Sequence, residues 1–174
     1  MHRVVKGETV EINGLKVNLD TLAATLVKAK RSTYASEGAE EIVPQRSGFK
    51  ELEFREGDWE YRDSYSGFFY APGQEVVRYK GTPIWAMSYS GGMLPEYHGN
   101  AAFAKETFNF LKKALSLVES SRPFRGPISL GDGDWKYTSS NEGDIKDFSG
   151  VERIHYKGRE VFRQYFIGGL IISK

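Results

Sequence analysis

The sequence of 174 residues contains no cysteine and only three histidines, His2, His98 and His155. Disulfide bonds, thiolate nucleophiles and cysteine-ligated zinc are therefore excluded. The histidines do not have the spacing of metal ligands, and no glycine motif for nucleotide phosphates is present. We therefore expect neither a metal nor a cofactor. The lack of cysteine is typical of proteins of a reducing compartment, so a cytoplasmic location is expected.

The sequence also lacks an excess of charge of one sign and a long apolar run. Lysine and arginine number 24 and aspartate and glutamate 23, which gives a net charge of +1. Nucleic-acid-binding domains are usually clearly basic, so we expect no nucleic-acid partner. No apolar run approaches the ~20 residues that cross a bilayer, so no membrane association is expected.

Three short blocks of the sequence occur twice in the same order. The three pairs of copies are Gly57-Asp58-Trp59-Glu60-Tyr61 with Gly133-Asp134-Trp135-Lys136-Tyr137, Tyr79-Lys80-Gly81 with Tyr156-Lys157-Gly158, and Gly91-Gly92 with Gly168-Gly169. A chance match of three blocks in one order is improbable, and we interpret the pattern as an internal duplication.

The periodicity around these blocks predicts an α+β fold. Each copy reads as a helix followed by a four-stranded antiparallel meander, a topology similar to that of cystatin-like units. The copies cover about residues 20–93 and 100–172 of a single domain, residues 1–174. Asn13-Gly14 between alternating apolar residues predicts an additional N-terminal β-hairpin over residues 8–19. The sequence leaves open whether the two units join their sheets edge to edge or pack about a pseudo-twofold axis.

Polar positions that differ between the copies are the better candidates for a functional site. Asp63 corresponds to Ser139, and the segment Glu96-Tyr97-His98 has no counterpart. The unperturbed pKa of histidine lies near neutrality, so His98 is a candidate acid–base group, and Asp63 is a second catalytic candidate. The candidate ligand-binding residues are Tyr65, Met87, Glu96, Tyr97 and His98.

Several blocks together resemble a prokaryotic domain family of unknown function. The blocks are Lys28-Ala29-Lys30-Arg31-Ser32-Thr33-Tyr34-Ala35, Phe54-Arg55-Glu56-Gly57-Asp58-Trp59, Tyr79-Lys80-Gly81-Thr82-Pro83-Ile84-Trp85-Ala86-Met87, Phe124-Arg125-Gly126-Pro127 and Tyr165-Phe166-Ile167-Gly168-Gly169. The resemblance covers about residues 22–170. It implies relatives that occur alone or fused behind a helix-turn-helix of the xenobiotic-response-element type, and hence a sensor-type role. It carries no catalytic residues over to this chain.

Three functional hypotheses follow. The leading one is a non-catalytic module that binds a small molecule or a protein. The alternative is a small cofactor-free enzyme of the dehydratase or isomerase type, in which Asp63 or His98 acts as the acid–base group and Tyr65 or Tyr89 donates to a developing oxyanion. Burial of Asp63 beside a tyrosine would favour this enzyme. The third is a structural protein whose N-terminal hairpin pairs across a homodimer.

Overall fold

The computed structural model describes residues 6–36 and 39–173, which form ten β-strands and two α-helices. The strands are β1 (Thr9–Ile12), β2 (Leu15–Asn18), β3 (Lys50–Glu56), β4 (Trp59–Tyr65), β5 (Gly73–Tyr79), β6 (Thr82–Met93), β7 (Ser129–Asp132), β8 (Trp135–Asp144), β9 (Asp147–Tyr156) and β10 (Arg159–Leu170). The helices are α1 (Leu19–Ser32) and α2 (Ala101–Leu115), and Pro95–Tyr97 forms a short 3-10 turn before α2. Within the described part of the chain, neither helix has the length and apolarity needed to cross a membrane.

Eight strands form one continuous antiparallel sheet in the order β3-β4-β5-β6-β10-β9-β8-β7. The two longest strands, β6 and β10, pair at its centre from Trp85 opposite Leu170 to Met93 opposite Phe162. The prediction of an α+β fold built from two helix-plus-meander units is therefore wrong, because the protein is mostly β with a single large sheet. The physical reason is that β6 and β10 would otherwise each expose a row of unpaired backbone N–H and C=O groups. When the two strands pair, these groups form hydrogen bonds with each other.

Glycines lie along the line where β6 and β10 meet. A Cβ atom on Gly168 would come within 2.2 Å of the Ala86 carbonyl oxygen, and one on Gly91 within 2.2 Å of the Arg163 carbonyl oxygen. These distances are well inside van der Waals contact, so larger residues would push the two central strands apart. The close backbone approach that paired glycines indicate therefore occurs at the centre of the sheet.

Both helices pack against the same face of the sheet, which we call the inner face. Side chains alternate between faces along a strand, so Trp85, Tyr89 and Met93 of β6 share one face with Phe162 and Phe166 of β10. Leu22 and Leu26 of α1 belong to the core cluster that contains Trp85 and Phe166. Ala104, Leu111 and Ala114 of α2 belong to the cluster that contains Met93 and Phe162. The core therefore lies between this face and the helices.

The hairpin β1-β2 closes one end of the core. Ile12 and Val17 are almost fully buried within this chain. The Asn13 side-chain amide donates a 3.0 Å hydrogen bond to the Ile171 carbonyl oxygen, which ties the hairpin turn to the segment after β10. The apolar face of the hairpin is thus covered intramolecularly.

Candidate functional site

A row of polar side chains crosses the inner face among the apolar core residues. It consists of Asp63 on β4, Glu75 on β5, Glu152 on β9 and Gln164 on β10, each at most 5% exposed. Period-two alternation places them there, because Asp63 follows Tyr61 by two residues and Glu75 precedes Val77 by two. Burial of a carboxylate costs several kcal/mol unless it is paired, so each of these groups requires a partner.

Two buried cations enter this row from outside the sheet. Lys30, on α1, forms an ion pair with Glu75 and donates a 2.8 Å hydrogen bond to the Phe124 carbonyl oxygen. Arg125, between α2 and β7, lies 3.6 Å from Glu75 and 2.7 Å from Glu152. Desolvation lowers the pKa of Lys30, while Glu75 beside it acts in the opposite direction. We call Lys30, Asp63, Glu75, Arg125 and Glu152 the charge cluster.

Glu152 is the best-satisfied carboxylate of the charge cluster. One oxygen accepts hydrogen bonds from Arg125 Nε at 2.9 Å and Gln164 Nε2 at 3.2 Å, and the other accepts from the Tyr137 hydroxyl at 2.6 Å. Charge-assisted hydrogen bonds of this kind are roughly twice as strong as neutral ones. Burial acts to lower the pKa of Arg125, but the adjacent Glu152 and Glu75 outweigh it and raise that pKa.

Asp63 is the carboxyl group of the charge cluster that pairs with no cation within the described residues. It is 3% exposed and accepts a 2.7 Å hydrogen bond from the Tyr89 hydroxyl. Burial, reinforced by the nearby charge of Glu75, raises the pKa of Asp63 to about 7. A carboxyl group with such a pKa is poised to gain or lose a proton near neutral pH.

The contact between Tyr89 and Asp63 depends on a glycine on the neighbouring strand. Gly73 lies between Tyr65 and Tyr89 in the sheet. A Cβ atom at Gly73 would stand 2.3 Å from the Tyr89 hydroxyl oxygen and 2.8 Å from Tyr65 Cβ. The missing side chain therefore lets the Tyr89 ring cross β5 and reach Asp63.

Tyr89→Phe is expected to raise the pKa of Asp63 further, because the tyrosine hydrogen bond favours the charged form. The variant should also lose about 2 kcal/mol of unfolding free energy once Asp63 is ionised, since a hydrogen bond to a charged group is lost. The carboxyl ¹³C shift of Asp63, followed by NMR against pH, measures the first effect. Tyr70→Phe is the matched control, because it removes an exposed hydroxyl that contacts Ser90. An unchanged Asp63 titration in Tyr89→Phe would contradict the assignment.

Asp63 lies at the floor of a cavity of about 260 Å³ between the inner face and α2. Tyr89, Gly91, Arg125 and Gln164 surround it on the floor. Gly91 and Gln164 face each other across the β6–β10 pair, so both central strands contribute to this floor.

The walls of the cavity come from α2 and from the segment between β4 and β5. On α2, Lys105, Phe108, Asn109 and Lys112 line one side, since residues three, four and seven apart share a helix face. Tyr65, Gly67 and Phe68 also line the cavity, and the Phe68 and Phe108 rings meet edge to face with centroids 5.4 Å apart. Burial raises the pKa of Tyr65 to about 12 and also raises that of Tyr34, another lining residue, so both hydroxyls are hydrogen-bond donors at neutral pH.

The cavity brings together only part of the residues predicted from the sequence. Asp63 and Tyr65 line it, together with Tyr89. Met87 is fully buried in the core beside Trp85. The remaining candidates belong to a different region of the surface: Glu96, Tyr97 and His98.

The second region surrounds the 3-10 turn before α2. Glu96 and His98 are exposed, and a ring nitrogen of His98 lies 3.0 Å from the Met93 carbonyl oxygen. The Tyr97 ring packs on Phe103 with centroids 5.4 Å apart. His98 and Glu96 therefore do not line the cavity that contains Asp63.

Sequence reasoning missed most of the charge cluster. Lys30 was part of a basic block that is typical of a helix end, where cations complement the helix dipole. The alternation along the strands could have identified Glu75 and Glu152 as buried. Each stands two residues from a buried apolar residue on its strand and therefore shares its face. Arg125 had no such pattern, since it lies in an irregular segment whose position only the folded chain determines.

Chemically, the cavity combines apolar aromatic walls with a floor that can donate or accept a proton. Asp63 supplies the titrating group, and the ion pairs of Arg125 and Lys30 hold the surrounding floor in place. In residues 6–36 and 39–173, no three histidine, aspartate or glutamate side chains are grouped as metal ligands. The arrangement is suited to binding a small molecule or to transferring a proton to or from it.

Comparison with known proteins identifies a family but no characterised relative. No curated protein and no solved structure matches the chain. A family profile described as "Domain of unknown function (DUF5680)" matches residues 63–171, which include the end of β4, all of β5 to β10, α2 and four of the five members of the charge cluster. The resemblance to a domain family of unknown function is thus confirmed. Because the matched segment is more than half of the chain, the protein belongs to the DUF5680 family.

Proposed function

We propose that this protein binds a small organic molecule in the cavity above Asp63. The observation that carries the proposal is an aromatic-walled cavity of about 260 Å³ whose floor contains Asp63, a carboxyl group with no cationic partner among the described residues. Small-molecule sites are typically concave and mostly apolar, with a few polar groups that fix the orientation of the ligand. The cavity has this composition.

A second reason is that the floor is held in place before any ligand arrives. Arg125 is held by Glu75 and Glu152, and Tyr89 is held by Asp63. Groups that are already ordered cost less entropy on binding, so a rigid floor favours affinity. A sensor-type role, which the resemblance to regulator-fused domains implies, accords with such a site.

The second candidate function is acid–base catalysis in the same cavity. The observation that favours it is that Asp63 is buried beside Tyr89 and titrates near neutrality. As a general base, Asp63 would take a proton from a carbon or oxygen atom of the substrate, and a tyrosine hydroxyl would stabilise the oxyanion that develops on the substrate. Asp63→Asn would then keep ligand binding but abolish turnover of the ligand, as followed by NMR.

Asn109→Trp tests the binding proposal, because it places an indole at the cavity wall without changing a buried residue. We expect fragments that shift the NMR signals of Tyr65, Phe108 and Gln164 in the unsubstituted protein to lose at least about ten-fold in affinity in this variant. Glu106→Trp is the matched control, since it adds the same ring on an exposed position of α2 outside the cavity. Equal fragment binding to both variants would refute the proposal, as would the absence of any fragment at these residues.

A further inference from the structure

The cavity has an uneven charge for a chain that is nearly neutral. Of its charged lining residues, four are cationic and one is acidic: Lys50, Lys105, Lys112 and Arg125 against Asp63. In the whole chain, 24 cationic residues stand against 23 acidic ones. The lining of this cavity therefore has an excess of cationic over acidic residues that the chain as a whole does not have.

Two of these cations are already engaged by acidic partners. Arg125 is paired with Glu152 and Glu75 on the floor. Lys50 lies 3.2 Å from Glu41, and both side chains are more than half exposed. Their charge is balanced within the protein, so neither requires a ligand.

Lys105 and Lys112 have no acidic partner among the described residues. They stand seven residues apart on α2, two helical turns, so both project from the cavity-lining face of the helix. The Lys112 ammonium lies 5.4 Å from the centroid of the Tyr34 ring, which also lines the cavity. The lysine pair therefore flanks the cavity with unneutralised positive charge.

The single acidic lining residue does not cancel this charge. Asp63 lies below the lysines at the floor. The titratable groups around it are Glu75, Lys30, Arg125, Tyr89, Tyr34, Tyr61 and Tyr65. Burial and Glu75 hold the pKa of Asp63 at about 7, so near neutral pH its negative charge is only partly developed. An anionic ligand would meet little repulsion from the floor.

We propose that the ligand is a small organic anion with a flat apolar body, whose acidic group is held between Lys105 and Lys112. The inference rests on the proposed function, since it names the chemical class of ligand for the same cavity. The apolar body packs against Phe68 and Phe108, and a polar atom at its inner end meets Asp63. The acidic group can be a carboxylate, a sulfonate or a phosphate, because each offers oxygens to two ammonium groups.

Three probes of one shape separate charge from size: naphthoate, naphthamide and naphthylmethylammonium. Isothermal titration at low ionic strength is expected to give naphthoate roughly ten-fold higher affinity than naphthamide, since two exposed ion pairs contribute about 1.4 kcal/mol together, which is one factor of ten. The ammonium probe should bind most weakly. Added salt should narrow the difference between naphthoate and naphthamide, because exposed charges are screened.

Lys105→Gln combined with Lys112→Gln is expected to reduce naphthoate affinity by roughly ten-fold and leave naphthamide affinity unchanged. The matched control is Lys113→Gln, which removes an exposed lysine of the same helix that pairs with Asp132 away from the cavity. This control should leave all three affinities as they are.

The outcomes distinguish the preference for anions from the existence of the site. Equal affinity for naphthoate and naphthamide, or unchanged naphthoate affinity in the double-lysine variant, would overturn the anion preference while leaving a small-molecule site in place. Binding that survives Asn109→Trp would show that the probes occupy another surface. Failure of all three probes to bind would count against the proposed function and the anion preference together.

Discussion

Arg125→Met is expected to lower the free energy of unfolding by about 3–5 kcal/mol, because it leaves buried carboxylates without their cation. Glu152 is fully buried and receives two of its hydrogen bonds from Arg125 and Gln164 on the same oxygen. Glu75 would keep Lys30 but lose the second positive charge 3.6 Å away. Methionine keeps an unbranched apolar stem but has no guanidinium group, so the positive charge and its hydrogen bonds to Glu152 are lost. Chemical denaturation followed by tryptophan fluorescence measures the loss.

Lys28→Met is the matched control for Arg125→Met. Lys28 pairs with Glu56 at 2.9 Å, but both side chains are more than half exposed. Exposed ion pairs contribute about 0–1 kcal/mol, so this variant should remain close to the unsubstituted protein.

A second variant keeps the prediction testable if Arg125→Met does not fold. Addition of Glu152→Gln removes the orphaned charge and should restore part of the lost stability, because the glutamine is neutral. The account of the charge cluster is incorrect if Arg125→Met lowers the free energy of unfolding no more than Lys28→Met does. It is also incorrect if adding Glu152→Gln to Arg125→Met lowers the free energy of unfolding further.

Asp63→Asn is expected to be more stable than the unsubstituted protein above neutral pH, although it alters a buried polar residue. In the folded chain Asp63 keeps its proton up to a pKa of about 7, whereas its ordinary pKa is 3.8. Between these values the folded state binds more protons than the unfolded state, so the free energy of unfolding falls as pH rises. Asparagine carries no charge, and its side-chain oxygen can still accept the Tyr89 hydrogen bond.

The stability advantage of Asp63→Asn should therefore grow by about 2–3 kcal/mol between about pH 5 and pH 8. Denaturation curves of both proteins across this range measure the difference. Asp134→Asn is the matched control, because it removes the same charge from a side chain that is more than half exposed, and its difference from the unsubstituted protein should stay nearly constant with pH. A constant difference for Asp63→Asn would mean that Asp63 ionises normally in the folded protein.

The N-terminal hairpin and the positions of strand side chains follow from local rules. Asn13-Gly14 supplies a turn with positive φ at both residues, and β1 and β2 pair around it. Alternation put Tyr61, Asp63 and Tyr65 on one face of β4, and Asp63 and Tyr65 both line the cavity. These features depend on neighbours in the sequence, so the sequence carries them directly.

The arrangement of the sheet could not be predicted in the same way. The repeated blocks indicated two meanders but left their relation open, and the α+β expectation failed because β6 and β10 pair into one eight-stranded sheet. That pairing joins strands separated by more than sixty residues along the chain. Hydrogen bonds between backbone groups leave little trace in side-chain periodicity, apart from glycines such as Gly91 and Gly168 where the strands approach closely.

The candidate site likewise has features that follow from the sequence and features that depend on the tertiary structure. The sequence by itself determined that no cysteine chemistry occurs, that Asp63 shares a face with Tyr61 and Tyr65, and that α2 carries an apolar stripe. Only the tertiary structure brought Lys30, Arg125 and Glu152 to one buried cluster and separated His98 from it. It also left Asp63 without an ion pair to any cation in the part of the chain that the structure describes. The physical reason is that a pKa and a cavity depend on distances between groups far apart in the chain, which are fixed only when the sheet and helices pack.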